Sequence, residues 1–380
     1  MDLDAVARDP GELKRYIEYG FCLTAFQTLQ RLGSRDDEGP TRRHAFETAL
    51  AKLFDHYGRR NRRKMQRALG RVLGAREDED TLQPGVARYG FDVSGKESAA
   101  LRLFDTLAAL HDRLDLERHR NHFLSNSSSL STLRLPAELE RVLRPRLAEE
   151  EQRAIEGDPA SAGYRLQAKL VAVVAEDETS PEIGKDQIYA AMSFFDAGMQ
   201  QSQVRPFMVG EFDDEDSVVL SPHKLLFDAP IDLARGFPQE FVGVFTLVEK
   251  DSGEPEATLD EITSLFDALA GVAGATGSGH GALVLVALVR AGLGATLDII
   301  GLGLRDDVFT PRPDSFVITS VEQLQHGREV GGELYGPVSV RQLQWSEHEG
   351  SYLLVYYWQV VSSQMTSSDF PPPLASPGEG

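Results

Sequence analysis

Over residues 1–155 apolar side chains recur at helical spacing. Asp9-Pro10-Gly11-Glu12 reads as a helix start, with a capping Asp, Pro at the first position and an acid in the first turn. Leu13, Ile17, Phe21 and Ala25 continue that face. A second helix is expected from about Pro40-Thr41, with Phe46, Ala49, Leu50, Leu53 and Phe54 on one side. A third carries Met65, Leu69, Val72 and Leu73. A long fourth, near 96–123, aligns Ala100, Phe104, Leu107, His111 and Leu114. The polar run 125–129 reads as a loop, and a last helix is expected over 136–155.

The pattern changes after Gly157-Asp158-Pro159. β-rich runs follow at 164–175, 187–195, 204–209, 217–227 and 241–249, separated by acidic or Pro/Gly turns. More strands are expected at 315–321, 338–345 and 351–361, the last rich in aromatic residues. Between the two groups lie a helix at 259–272 and a Gly-rich apolar run that ends at Arg305-Asp306-Asp307. The fold expected is α+β. A helical bundle over 1–155 precedes an antiparallel β-sandwich over 160–365 with a Gly-rich helical hairpin inserted at 257–306, and 366–380 is expected to be a disordered tail.

The 24-residue run 281–304 is as long as a membrane-spanning helix. Arg290 and Asp298 lie inside it. Each would cost roughly 2.5–3.5 kcal/mol at a bilayer centre. The resting expectation is therefore a helix covered by protein. Leu285, Leu288, Arg290, Gly292, Gly294 and Asp298 are candidate contacts to neighbouring subunits or, conditionally, to a membrane, since small residues permit close helix approach.

Charge sharpens the division. Residues 1–150 hold 26 Lys+Arg against 24 Asp+Glu, and the remainder 13 against 35, which gives the net −20. This break places a domain boundary near 155. The acidic C-terminal half argues against a nucleic-acid surface there. One basic run stands out: Arg59, Arg60, Arg62, Arg63 and Lys64, continuing to Arg67 and Arg71. It reads as a solvated helix face or as a docking patch for RNA, anionic lipid, or the acidic half of this chain or of a second copy.

Acidic turns contain Glu178, Asp186, Asp213, Asp214, Asp216 and Asp251. Brought together they could supply oxygens to Ca²⁺, although no fixed-spacing calcium loop is present. His111, Asp115, His119 and His122 form one helical stripe, which reads as an amphipathic helix end rather than a transition-metal site. The segment 274–281 is neither a Walker loop nor a nucleophile elbow, and its G-x-G-x-x-A match follows a helix rather than a strand. Cys22 lies in an apolar helical pattern and reads as a packed thiol. No acid/base or nucleophile set is identifiable, so no enzyme is expected. The N-terminus lacks an apolar signal region, which predicts a cytoplasmic protein or one exported by a signal-less route.

The stretch 177–189, DETSPEIGKDQIY, with Glu178, Glu182, Gly184, Asp186, Ile188 and Tyr189, together with Val209-Gly210-Glu211-Phe212-Asp213, Leu247-Val248-Glu249-Lys250-Asp251, the Gly-rich insert ending in Asp306-Asp307-Val308-Phe309, and Gly350-Ser351-Tyr352 to Tyr356-Tyr357-Trp358, resembles an uncharacterised β-sandwich module of bacterial toxin-like and effector-like proteins. The resemblance covers about 164–361. It implies a sandwich with a helical insertion and no catalytic activity. The function expected is a non-enzymatic effector that docks on a protein partner, or else an oligomerising adaptor.

Overall fold

A computed structural model describes residues 3–33, 44–55, 57–74, 89–92, 96–124, 141, 163–177, 185–213, 216–250, 255–275, 281–300, 307–321, 324, 328–330, 333–335, 338–348 and 350–362. The class is α+β, with most of the helices N-terminal and two antiparallel sheets of four and five strands. Contacts group the chain into two compact units. Unit 1 is Met1–Ser125, Gln187–Gly210 and Phe241–Ser315; unit 2 is Asn126–Asp186, Glu211–Glu240 and Phe316–Gly380. This grouping differs from the division near residue 155 that the charge break suggests. Charges sit on surfaces, whereas a unit is defined by the apolar faces that bury one another.

In unit 1 the helices are α1 (Leu3–Arg8), α2 (Pro10–Gly33), α3 (Ala45–Asp55), α4 (Arg59–Val72), α5 (Ala99–Leu110) and α6 (Leu116–Phe123). Asp9 does cap α2: its Oδ1 accepts the Gly11 N–H at 2.8 Å. Helix α3 starts later than expected, because its start is fixed by a reciprocal pair. Glu47 accepts the His44 N–H at 3.0 Å, and His44 Nδ1 accepts from Phe46 N at 3.1 Å. The expected long helix over 96–123 is broken into α5, a short turn at His111–Arg113, and α6. The cause is Asp115, whose carboxylate caps α6 by accepting the Arg118 N–H at 3.1 Å. Of the helix expected over 136–155 only Arg141, which is helical, is described, and the tail 366–380 lies outside the described residues.

The Gly-rich hairpin consists of α7 (Pro255–Ala275), then α8 (Gly281–Ala287), a π-helical turn at Leu288–Leu293, and α9 (Gly294–Ile300). It belongs to the same core as the N-terminal helices: α2 packs on the π turn and on α9, and α3 packs on α7. The five-stranded sheet takes the order β3 (Gln201–Phe212), β2 (Asp186–Phe195), β5 (Gln239–Glu249), β6 (Asp307–Val308), with β7 (Arg312–Ile318) also on β5. Val248 pairs with Val308 and Glu249 with Asp307. The hairpin is thus an insertion between two neighbouring strands of one sheet.

Unit 2 holds the four-stranded sheet, in the order β10 (Val338–Glu347), β11 (Gly350–Ser362), β1 (Tyr164–Asp177), β4 (Ser217–Ile231). Strands β10 and β11 are antiparallel neighbours in sequence, with Glu347 opposite Gly350. Along β11, Tyr352, Leu354, Tyr356 and Trp358 alternate with Leu353, Val355, Tyr357 and Gln359, and all eight are buried. A strand buried on both faces explains the aromatic density of that segment. The short strands β8 (Arg328–Val330) and β9 (Glu333–Tyr335) pair with each other.

Candidate functional site

The residues proposed for the hairpin contact are mostly interior. Leu285 and Leu288 are fully buried. A Cβ on Gly292 would lie 2.5 Å from Phe21 ring atoms, and one on Gly294 would lie 3.2 Å from Thr310 Cγ2. Arg290 donates to the Phe123 carbonyl at the C-terminus of α6, the end of a helix that favours a cation. Burial, and then Arg312 nearby, pull the Arg290 pKa down. Asp298 lies in α9, and its side chain is outside the described residues. In this state the hairpin offers none of these described side chains as an exposed contact surface.

The acidic turns also take on local roles. Asp186 is buried and accepts from the Tyr352 hydroxyl. Asp213 and Asp216 both reach Lys185, at 2.6 and 3.4 Å, and Asp216 accepts the Asp213 N–H at 3.1 Å. That backbone bond, with Lys185 assisting, holds the Asp216 pKa low. Glu178, Asp214 and Asp251 lie outside the described residues. Among the described residues no group of three His, Cys, Asp or Glu side chains is placed to hold a metal ion. The histidine stripe is dismantled by the break at 111–115: Asp115 caps α6, while His119 turns into the core.

Two buried polar groupings were not singled out from sequence. Glu47, 2 % exposed, accepts from Arg31 at 2.8 Å and from Ser98 Oγ at 2.6 Å, which ties α2, α3 and the start of α5 together. On one face of the four-stranded sheet Lys169 donates to Gln359 Oε1 at 3.1 Å and lies 5.8 Å from the Tyr357 ring centre. The Tyr357 hydroxyl is 3.3 Å from His223 Nδ1. The only sequence signal for either is a lone charge inside an apolar stretch, as in AFETAL and AKLVAVV.

The basic run forms the most exposed constellation. Helix α4 buries Met65, Ala68 and Leu69. Its other face exposes Arg59, Arg60, Arg63, Lys64, Arg67 and Arg71, which span about 18 Å at 1.5 Å per residue. Arg62 is partly covered, with Asp55 at 3.5 Å. Among the described residues no carboxylate lies within 4.0 Å of the six exposed cations. The pattern opposes the helix that carries it. The pairs 59/63, 60/64, 63/67 and 67/71 are like charges at i,i+4. Together they cost about 1–2 kcal/mol at low salt. The first turn holds no acid, so its arginines also face the positive end of the helix dipole. Among the described residues no ion pair within the fold accounts for these six cations.

Among the described residues no helix is long and apolar enough to cross a membrane. In comparison with known proteins, the chain matches no family model, no curated protein and no solved structure.

Proposed function

We propose that this chain is a non-enzymatic interaction protein that docks an acidic protein surface on the cationic face of α4. The observation that carries this reading is the set of six exposed cations arranged at a local cost to their own helix. The partner proposed is the acidic half of a second copy. Residues 151–380 carry 13 basic against 35 acidic side chains, so complementary charge is available in the same chain. Copies that each carry −20 repel as whole bodies, but at physiological salt the Debye length is about 8 Å and close complementary patches dominate. Basic-on-acidic contact is heterologous and builds rings or open chains of subunits. This is the adaptor reading of the sequence.

The test is sedimentation velocity over a concentration series. Reversible self-association is expected at about 0.15 M salt, where the whole-body repulsion is already screened. It should be lost at about 0.5 M salt, where screening is stronger, and in the variant R60E/R63E/R67E. These three side chains are exposed, so the variant should fold like the parent. A parent that stays monomeric throughout the concentration series at about 0.15 M salt, or a variant that associates as the parent does, refutes the proposal.

A further inference from the structure

Helix α6 lies against α8, whose seven residues Gly281–Ala287 are all apolar and buried. It is held there in two ways. Arg290 donates to the carbonyl of Phe123, its last residue. His119, at its centre, is fully buried. His119 Nδ1 is 2.7 Å from the Asp115 carbonyl oxygen. A carbonyl only accepts, so Nδ1 carries the proton and Nε2 is the bare acceptor. Among the described residues Nε2 is buried without a hydrogen-bond partner. The neutral ring fits this position. A second proton would place a charged N–H against apolar surroundings with nothing to receive it.

The charged groups around the ring do not offset this. On its own helix Asp115 favours the cation, while Arg118 and His122 oppose it. Helix α8 contributes no ionisable side chain, and the π turn contributes only Arg290. The charged side chains of α2 are taken up in pairs, Glu12 with Arg15, Lys14 with Glu18, and Arg31 with Glu47. Burial dominates, and the His119 pKa is lowered.

We propose that α6 is an acid-sensitive cover over the Gly-rich helix, released when His119 takes up a second proton. The sign follows from linkage. An opened state, with His119 in water at about 6.5, binds the proton more readily than the closed state. Closure is therefore complete above that value. It weakens as pH falls below it, by up to about tenfold per pH unit for one proton, until the lowered pKa of the closed state is reached. Opening would uncover the part of α8 that α6 covers, apolar surface of the kind any membrane contact by this hairpin would require.

Hydrogen exchange measured by mass spectrometry on the full chain tests this at about pH 7.5 and about pH 5.5, with intrinsic rates corrected. Protection over 116–124 and 281–293 is expected to fall by up to about tenfold at the lower pH, with strand β5 as the internal reference. In H119N the side-chain amide keeps the donor to the Asp115 carbonyl and takes up no proton, so the acid response should vanish. His44 is a second histidine of unit 1 whose pKa is lowered by burial. H44N keeps an acceptor for Phe46 N and should leave the response of the hairpin intact. Equal protection at both pH values in the parent, loss spread uniformly over unit 1, or a response unchanged in H119N overturns the proposal. The first two outcomes are read on the unmodified protein and do not depend on the variant folding.

Discussion

Gly292→Ala tests whether the Gly-rich helix is truly interior. A Cβ there would meet Phe21 Cδ2 and Cε2 at 2.5 Å and Cγ at 2.6 Å. Carbon–carbon contact needs about 3.5 Å, so the ring would have to retreat by about 1 Å. Its retreat is blocked. Phe21 is fully buried, with the Phe46 ring 4.8 Å away and the Phe104 ring 6.3 Å away, centre to centre. Overpacking of this kind costs about 1–3 kcal/mol, and a trapped ring belongs at the upper end. Replacing Gly by Ala within a helix returns about 1 kcal/mol. The expected net loss is about 2 kcal/mol. With a urea slope near 2 kcal/mol per molar, the midpoint should fall by about 1 M. Both tryptophans, Trp345 and Trp358, belong to unit 2, whereas α1–α9 belong to unit 1. Ellipticity at 222 nm therefore reports the damaged unit and tryptophan fluorescence the other. On a Phe21→Ala background the same Gly292→Ala change should be neutral or stabilising, because the ring it strikes is gone. If Gly292→Ala alone is as stable as the parent, or more so, Phe21 does not pack on this helix and the placement of the hairpin is wrong.

Leu285→Asp should destabilise unit 1 by about 4 kcal/mol, from lost apolar burial and an unpaired buried carboxylate. A variant with an unchanged thermal melt would show that residue to be exposed. The fragment 1–155 should not fold cooperatively alone, because α7–α9 complete the core of its helices. Urea titration of that fragment by circular dichroism should give a broad, non-cooperative profile with dye-binding apolar surface, and a sharp two-state transition would refute this. A fragment 1–320, which retains α7–α9, should recover the sharp transition.

What the sequence revealed and what it hid follow from the range of the forces involved. The Asp9-Pro10 start of α2 and the apolar faces of α3 and α5 depend on neighbours within one or two turns, and they were legible. The break at 111–115 was not, because Asp115 satisfies a helical stripe and a helix cap equally well on paper. The choice goes with the packing of α6 on α8, far away in the chain, and with the burial of His119 and Phe123. The charge difference between the halves does not follow the grouping of contacts, since unit 1 draws on both halves. The basic run of α4 was visible as composition. That it opposes its own helix became an argument only once Met65, Ala68 and Leu69 fixed which side is buried.

The hairpin shows why an apolar, Gly-rich run is ambiguous between lipid and protein. A helix apolar on every side needs cover on every side, and a bilayer or a packed core supplies it equally. Small residues serve close approach in both settings. The charged residue separates them. A lone arginine within lipid must reach water or another charge. Arg290 instead ends on a backbone carbonyl at the C-terminus of α6, where the helix dipole favours a cation and no carboxylate is needed. The other side of the same turn admits the Phe21 ring at a glycine. A helix with one face fitted to an aromatic ring and its only described charge fitted to a helix end is matched to protein neighbours. That match is what α6 would have to give up, one proton at a time, for the run to meet any other surface.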